Sequence, residues 1–275
     1  MEQQYILTLE ELGFSLAFCG YDEMAAGMLK ENLGEISEES WEMVFQTASR
    51  SLYSKGILLN LYEEDANQSF IFGFKDLVDD LANSNYMIRC YNETEYGQFV
   101  LIIHQGKNGF VYHLIINQII HVLNYVKDEN LVEAITAFFH PVFSHDETEI
   151  AVSCSEEDFE CLKGILQTDS ELESLIDKNP SLAKILPELE LIIDDSKRQG
   201  GNLVNISLIH TDEKVLPILE EVYLLLIAPE RTWTIFNSNS DKNQEPKLMI
   251  QTLNEVKWRQ MINDFISSMK GRVNL

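Results

Sequence analysis

The order of the predicted helices and strands constrains this fold most strongly, because the same order occurs twice along the chain. In each half, apolar residues recur at helical spacing, then alternate with polar residues along short strands, and then return to helical spacing. The predicted strands of the first half are 86–91, 98–104 and 110–116, with helices at 69–83, 117–126 and 128–139; the predicted strands of the second half are 202–210, 221–227, 232–237 and 247–253. The sequence therefore predicts an α+β fold of two pseudo-repeated helix–antiparallel β-meander–helix halves.

Turn signals support this interpretation and divide the chain. Gly106-Lys107-Asn108-Gly109 separates two predicted strands, and Asn-Gly adopts the positive φ angles of a tight hairpin at low cost. Ala228-Pro229-Glu230-Arg231 has the composition of a second turn. An irregular stretch at 140–148 is the natural boundary. The sequence thus predicts an N-terminal part, 1–140, and a second helix-meander-helix half, 141–275, which together can also form one compact domain.

Three predicted helices open the chain and resemble a winged-helix unit. Thr8 and Glu11 have the spacing of a capping box at the start of the first helix. The third helix begins at Ser37 and ends at Lys55-Gly56, a basic residue followed by glycine. A short strand is predicted directly afterwards, at 57–62. This order of elements is typical of DNA-reading domains.

The charge of the chain argues against DNA reading. The sequence has 45 Asp and Glu against 20 Lys and Arg, a formal net charge of −25. Glu38, Glu39 and Glu42 stand at the start of the third helix, where a recognition helix would meet phosphates. Lysine and arginine supply the attraction to nucleic acids and to anionic lipids. Because acidic residues outnumber basic ones here, neither nucleic acid nor an anionic lipid surface is an expected partner. The chain also starts without a basic signal-peptide region, and its longest hydrophobic run, 222–228, is too short to span a membrane. A cytoplasmic location without membrane insertion is expected.

Catalytic signatures are missing from the sequence. Neither a GxSxG elbow nor a glycine-rich phosphate loop occurs. The acidic pairs Asp79-Asp80 and Asp194-Asp195 lie on predicted helices, where adjacent side chains point in different directions. His113 and His121 flank a predicted strand-to-helix junction, so they need not share a face, and satisfied core or surface histidines are the favoured interpretation. We therefore expect a protein that is not an enzyme and that needs no cofactor.

One loop offers a metal site as an alternative. His140 and His145 lie close to Asp146, Glu147 and Glu149 in the boundary stretch, and imidazole with carboxylate can bind zinc. The other interpretation is an acidic linker with two exposed histidines. Spacing alone does not bring these side chains together, and a second cluster that would complete the ligand set is missing, so the sequence predicts no metal site.

The candidate partner-binding residues lie in the first predicted hairpin loop, where aromatic and acidic side chains alternate. They are Tyr91, Asn92, Glu93, Glu95, Tyr96 and Gly97. Tyrosines at such hairpin ends serve either as interface anchors or as packing residues at strand ends. An acidic protein without a catalytic site and with aromatic residues in its turns is suited to binding another protein.

The opening helices, LTLEELGFSLAFCGYDEMAAGML, and the helix WEMVFQTASRSLYSKGIL resemble the EspG-like chaperones of type VII secretion, in particular their Gram-positive accessory relatives. The repeated helix-meander-helix order and the acidic charge add to this resemblance, which covers most of the chain. It implies a non-enzymatic cytosolic chaperone or adaptor that binds a helical secreted substrate. It also implies that the hairpin loop at 92–97 and the helices between 155 and 197 contact that substrate.

An acidic immunity or inhibitor protein that covers a basic toxin or nuclease site is the alternative. Its charge would imitate that of DNA. Residues 1–150 contain 24 acidic and 7 basic residues, so the acidic excess is concentrated in the first half. A continuous acidic face would favour the inhibitor, whereas scattered acids with an apolar patch would favour the chaperone.

Overall fold

Helices and strands follow one another largely as the apolar pattern predicts, in a computed structural model that describes residues 3–35, 37–60, 65–144, 149–167, 180–199, 203–211, 217–237 and 247–271. The helices are α1 (Leu9–Phe18), α2 (Asp22–Leu33), α3 (Glu38–Ser54), α4 (Ala66–Ser69), α5 (Phe74–Ala82), α6 (Leu131–Phe139), α7 (Glu156–Gln167), α8 (Leu186–Gln199) and α9 (Glu255–Gly271). The strands are β1 (Tyr5–Thr8), β2 (Tyr86–Thr94), β3 (Gly97–Gln105), β4 (Phe110–Ile116), β5 (Ile120–Val126), β6 (Ala151–Ser155), β7 (Val204–His210), β8 (Ile218–Ile227), β9 (Thr232–Asn237) and β10 (Lys247–Leu253). Of the helices in these ranges, none combines the length and the apolar character needed to cross a bilayer.

Contacts between residues divide the chain into two compact units. Unit 1 contains Met1–Arg89, Thr94–Leu131 and Ile209–Ile218, and unit 2 contains Cys90–Glu93, Val132–Leu208 and Leu219–Leu275. Each unit therefore draws on separate stretches of the chain. The division into two continuous domains, 1–140 and 141–275, stays a prediction.

Both units have the same strand topology, and the α+β class with opening helices is confirmed. The strand order is β1-β5-β4-β3-β2 in unit 1 and β6-β10-β9-β8-β7 in unit 2. Each meander is extended beside its last strand by an antiparallel strand from earlier in the chain, β1 beside β5 and β6 beside β10. Each of these added strands runs directly into a helix, α1 or α7. Beyond the predicted meander strands, the structure thus adds β1 and β5 in unit 1 and β6 in unit 2.

The helix predicted at 117–126 is wrong, because this segment is a turn followed by β5. Asn117 and Gln118 have φ angles of 51° and 60°, and two successive positive values give the twist that joins antiparallel strands tightly. β5 pairs with both β4 and β1. Its sequence, IHVLNYV, is a short apolar run, for which spacing alone does not separate a strand from a helix. The strand predicted at 57–62 is likewise reduced, within the described residues, to one bridge between Leu58 and Phe70.

The core of unit 1 lies between its helices and one face of its strands. Leu12 and Leu16 of α1 belong to the same buried cluster as Leu77 of α5 and Leu123 of β5. Helix α1 also packs closely on α2, because Gly13 has no side chain: a Cβ there would lie 2.5 Å from a methyl carbon of Leu29. The helical layer therefore rests on the face that carries Leu123.

A buried carboxylate, that of Glu11, joins three elements of unit 1. It accepts a hydrogen bond from the backbone N–H of Thr8 at 2.7 Å, while the Thr8 hydroxyl accepts from the Glu11 N–H, so the predicted capping box is confirmed. The same carboxylate accepts from the Ser51 hydroxyl at 2.6 Å and forms an ion pair with Lys55 at 2.6 Å. Only 1% of the Glu11 side chain is exposed. The end of α3 is thereby fixed to the start of α1.

In unit 2 a second buried acid has a structural role. Asp195 of α8 accepts a hydrogen bond from the Trp233 indole at 2.8 Å and forms an ion pair with Arg231 at 3.2 Å. Its neighbour Asp194 is exposed, so the two carboxylates point apart as expected. Trp233 packs in a cluster with Phe159, Ile250 and further apolar residues.

Replacing Lys55 by methionine is expected to destabilise the protein by roughly 2–4 kcal/mol, because it leaves the buried Glu11 carboxylate without its cation. The estimate is below the cost for a wholly buried pair, since 37% of the Lys55 side chain is exposed. Urea denaturation measures the free energy of unfolding. The matched control is Lys30→Met, which removes the exposed ion pair with Glu35 and should cost less than about 1 kcal/mol. Equal losses in the two variants would contradict this role of Glu11.

Candidate binding surface and a buried row of histidines

The first hairpin of unit 1 is tighter than the sequence predicts. Strand β2 continues through Thr94 and β3 begins at Gly97, so that only Glu95 and Tyr96 form the turn. The Tyr96 N–H donates to the Thr94 hydroxyl at 3.2 Å. The Tyr96 side chain is 79% exposed, and therefore it does not serve as a packing residue at the strand end.

The remaining candidate residues of this loop lie in β2. Tyr91 and Asn92 are half-buried and Glu93 is exposed. The Tyr91 hydroxyl donates to the Glu93 carboxylate at 2.5 Å along the strand. These three residues belong to unit 2, whereas Glu95, Tyr96 and Gly97 belong to unit 1. Of the candidate residues, the exposed ones are therefore Glu93 in β2 and Glu95 and Tyr96 in the hairpin turn.

A second turn of unit 1 packs directly against this hairpin turn. Gly97 has a φ angle of 130°, and a Cβ at this position would lie 1.9 Å from the Asn117 Oδ1 atom. That oxygen accepts a hydrogen bond from the Gln98 N–H at 2.9 Å, and the Asn117 N–H donates to the Gln98 carbonyl at 2.8 Å. Glycine at 97 is therefore required for the turns β2–β3 and β4–β5 to meet.

Together the two turns present a surface that combines apolar and polar side chains. We call it the hairpin-end surface, and it consists of Glu95, Tyr96, Gln118 and Ile119. Ile119 is 58% exposed although its backbone carbonyl accepts a hydrogen bond from the Leu9 N–H at the start of α1. Two large apolar side chains thus stand in solvent on backbone that is held by hydrogen bonds.

Other candidate residues are engaged elsewhere or lie outside the described part of the chain. His140 is exposed, and Glu149 forms an ion pair with Lys257. His145, Asp146 and Glu147 fall outside the described residues, as does 168–179 in the helical region that the family resemblance implies. Within the described ranges, no group of three His, Cys, Asp or Glu side chains is arranged to hold a metal ion.

The adjacent acids Asp79 and Asp80 have different partners. Asp79 pairs with Lys75 on the helix surface at 2.5 Å. Asp80, which is buried, accepts hydrogen bonds from the backbone N–H groups of Lys107 and Asn108 at 2.8 and 3.0 Å. Asp80 therefore fixes the turn between β3 and β4, and the two carboxylates do not converge as an acid–base pair would.

A row of three buried histidines crosses the meander of unit 1, and the sequence analysis did not find it. His104, His113 and His121 lie on β3, β4 and β5, each less than 7% exposed. The His104 Nε2 and His113 Nδ1 atoms are 3.4 Å apart, and the His113 Nε2 and His121 Nδ1 atoms are 2.8 Å apart. The helix predicted at 117–126 left open whether His113 and His121 share a face, and the pairing of β4 with β5 brings them together as core histidines. Recognising that β4 pairs with β5 would have predicted that His113 and His121 lie side by side.

Burial keeps these histidines neutral. It lowers the pKa of His104 and of His121 from 6.5 to about 4, with Glu10 opposing the effect at His121. Burial and the two neighbouring imidazoles also lower the pKa of His113 well below 6.5. A neutral imidazole has one donor and one acceptor nitrogen, so all three rings of the row must adopt the same tautomer. The outer nitrogens, His104 Nδ1 and His121 Nε2, have no hydrogen-bond partner among the described residues.

The stability of the protein is expected to fall as the pH is lowered from about 6.5 towards 4. Unfolding returns each histidine to its ordinary pKa, so the unfolded state binds more protons than the folded state in this range. The loss is on the order of 2 kcal/mol for each neutral histidine at pH 5 relative to pH 7. Urea denaturation at pH 7, 6 and 5 measures it.

The comparison variant carries His104→Leu, His113→Leu and His121→Leu together and should lose much less stability between pH 7 and 5. The matched control is His140→Asn, at an exposed histidine with a φ angle of 50° that asparagine tolerates. This control should follow the wild-type pH dependence. If the triple variant followed it too, the row would not be the source of the pH dependence.

Comparison with known proteins places the chain in a family and gives it a structural relative. A family model described as "Uncharacterised protein YfjC" matches residues 4–262. No curated protein matches the chain in sequence. A solved structure of the Mycobacterium tuberculosis type VII secretion system chaperone EspG5, in complex with the PE25-PPE41 dimer, has a similar fold, with a TM-score of 0.58, 9% identity and 96% of each chain covered. Since the family model spans nearly the whole chain, this protein belongs to the YfjC family.

Proposed function

We propose that this protein is a non-enzymatic cytosolic chaperone or adaptor that binds a helical substrate of a type VII secretion system. The observation that carries the proposal is the fold shared with EspG5 over 96% of both chains. EspG5 is a chaperone whose solved complex contains a PE25-PPE41 dimer. A fold retained over nearly the whole length at 9% identity is consistent with a retained type of partner.

The hairpin-end surface of unit 1 is the binding surface in this proposal. Tyr96 and Ile119 offer apolar area that is exposed before binding, and a tyrosine is among the residues that most often dominate a protein interface. The contact between Gly97 and Asn117 fixes both turns in advance. Little conformational entropy is therefore lost when a partner binds there. The apolar end of a substrate helix fits such a surface.

Charge contributes to the choice of partner and to its rate of binding. Glu95 borders Tyr96 on the hairpin-end surface, and the chain has a net charge of −25. A strongly acidic protein repels other acidic proteins and attracts basic or amphipathic ones from a distance. The expected substrate is therefore a helical protein with a basic or neutral end, and the acidic charge keeps the complex soluble.

Substituting Tyr96 by serine is expected to weaken substrate binding at least tenfold, because the exposed aromatic anchor is lost. The substrate is first recovered by affinity purification of the full chain from its native host and identified by mass spectrometry. Dissociation constants are then measured by isothermal titration calorimetry. The matched control is Tyr53→Ser on α3, a tyrosine that is 52% exposed but distant in sequence from both turns, and its affinity should change less than twofold.

Raising the sodium chloride concentration separates the chaperone from the acidic inhibitor. Apolar contacts at Tyr96 should lose less than about tenfold in affinity between 50 and 300 mM salt, whereas an inhibitor held by charge should lose far more. Recovery of a basic toxin or nuclease with steep salt dependence, or of no helical secreted protein, would contradict the proposed function.

A further inference from the structure

Strand β6 forms an open edge of the sheet in unit 2. It ends the strand order of that unit, where β10 is its antiparallel neighbour. Just before β6, the Ile150 carbonyl accepts a hydrogen bond from the Thr252 N–H of β10 at 2.9 Å, so the backbone groups of Ile150 point towards β10. Because these groups alternate in direction along a strand, those of Ala151 and Ser153 point away from β10.

The outward backbone groups of Ala151 and Ser153 are available to a partner. Among the residues that the structure describes, neither has a hydrogen bond outside the pairing of β6 with β10. Both residues are exposed, whereas the Val152 and Cys154 side chains are buried in the apolar cluster of unit 2. The strand is therefore held in place by its buried face and by β10, while its other edge offers two N–H donors and two carbonyl acceptors.

A lysine covers the corresponding edge in unit 1. Strand β1 leads into α1 at Thr8, and β6 leads into α7 at Ser155; in both, the hydroxyl accepts a hydrogen bond from the backbone N–H three residues further on. Ile6 and Ser153 each lie two residues before this cap and are therefore equivalent. The Lys55 ammonium group donates to the Ile6 carbonyl at 3.0 Å, whereas no described side chain donates to the Ser153 carbonyl. Unit 2 thus leaves open the edge that is covered in unit 1.

The charges beside this edge indicate which strand fits it. The run 150–155 is uncharged, and α7 begins directly after it with the exposed Glu156 and Glu157. Glu149, before the run, is paired with Lys257, whereas Glu156 and Glu157 have no ion-pair partner within the described ranges. Opposite charges on neighbouring strands attract, so an added strand is favoured when it carries a lysine or arginine at the end near α7.

A second copy of β6 fits this edge poorly. Two chains that each have a net charge of −25 repel each other. Antiparallel pairing about Ser153 would also bring Glu157 of each copy towards Glu149 of the other, and facing like charges are destabilising. The expected occupant is therefore a segment of another protein that contains basic residues.

We propose that the open edge of β6 binds an extended segment of a partner protein, which joins the sheet of unit 2 as a further strand and places a lysine or arginine beside Glu156 and Glu157. The backbone of Ala151 and Ser153 supplies the hydrogen bonds, and the basic residue of the partner supplies selectivity. This site needs neither Tyr96 nor a helical substrate. It does not rest on the proposed function and stands if that function fails.

The test uses a fluorescein-labelled peptide, KTVTVTK, whose valine and threonine residues favour an extended strand. In fluorescence anisotropy at pH 7.5 and 50 mM sodium chloride, the full chain should bind it in a saturable manner. Two further versions carry N-methyl groups either on the valines or on the threonines. One of the two should bind at least tenfold more weakly, because alternate N–H groups face the edge and their hydrogen bonds are lost. Absence of saturable binding, or no loss with either version, would overturn the proposal.

The peptide ETVTVTE tests the part of the proposal that concerns charge. It should bind at least fivefold more weakly than KTVTVTK, because glutamates replace the lysines beside the acidic start of α7. Equal affinities of the two peptides would overturn the expected selectivity for a basic segment.

Two substitutions at Ser153 locate the binding site. Ser153→Pro removes one outward N–H donor, and proline is tolerated on an edge strand where this N–H faces solvent. It should weaken the binding of KTVTVTK at least tenfold. The matched control Ser153→Thr keeps the N–H and should change the affinity less than twofold. Equal affinities of the two variants would overturn the proposal.

Amide hydrogen exchange of the wild type, measured by NMR, keeps the test decisive if Ser153→Pro does not fold. At saturating KTVTVTK the exchange of the Ala151 and Ser153 N–H groups should slow at least tenfold, whereas that of Val152 and Cys154, which pair with β10, should change little. Unchanged exchange at Ala151 and Ser153 would overturn the proposal. In sedimentation equilibrium, a wild-type dimer that Ser153→Pro dissociates would identify a second copy as the occupant and would also overturn it.

Discussion

The hydrogen bonds between Asn117 and Gln98 are the interaction on which most of unit 1 depends. These bonds stabilise the tight turn between β4 and β5. Strand β5 then provides the edge with which β1 pairs. Strand β1 leads directly into the capping box of α1, so the position of the helical layer follows from the same turn. The hairpin-end surface and the histidine row both require β5 in this register. The turn that begins at Asn117 therefore links the hairpin-end surface to the histidine row.

The sequence predicted the parts of the fold that local signals determine. The capping box at Thr8, the start of α3 at Ser37 and the strands Thr232–Asn237 and Lys247–Leu253 agree with the structure, because caps and alternating apolar residues act over a few positions. Strands β1 and β6 were not predicted, since each is short and is defined by a distant partner.

The error at 117–126 had the largest effect on the candidate site. Nothing in Ile120–Val126 itself separates a strand from a buried helix, and only its pairing with β4 and β1 does so. A helix at 117–126 would separate His121 from the strands that carry His104 and His113. The turn that carries Tyr96 was predicted because its residues are a local signal, whereas the exposure of Tyr96 was left open and the contribution of Ile119 depends on the packing of two turns. Short-range features of the site were thus predictable, and its tertiary features were not.

The two ends of the unit 1 meander are stabilised in different ways. At the β3–β4 turn the buried Asp80 carboxylate accepts two backbone hydrogen bonds and one from the Tyr125 hydroxyl. Burial, together with the hydrogen bond to Asp80 and its charge, raises the pKa of Tyr125. At the opposite end the turns pack on each other and leave apolar side chains in solvent. A closed end and an open end in one meander indicate that exposure at Tyr96 is a local feature, not a general looseness of the sheet.

Strand β1 has a further consequence for the chaperone role that we propose. It ends the strand order of unit 1, it is four residues long, and the Lys55 ammonium group donates to the Ile6 carbonyl on it at 3.0 Å. An edge strand with free backbone groups is a template on which other chains can add strands and aggregate. A short edge with a lysine occupying one of its carbonyl groups is a poor template. A chaperone with such an edge can remain close to an exposed, aggregation-prone segment of another chain without being drawn into a shared β-sheet with it along β1.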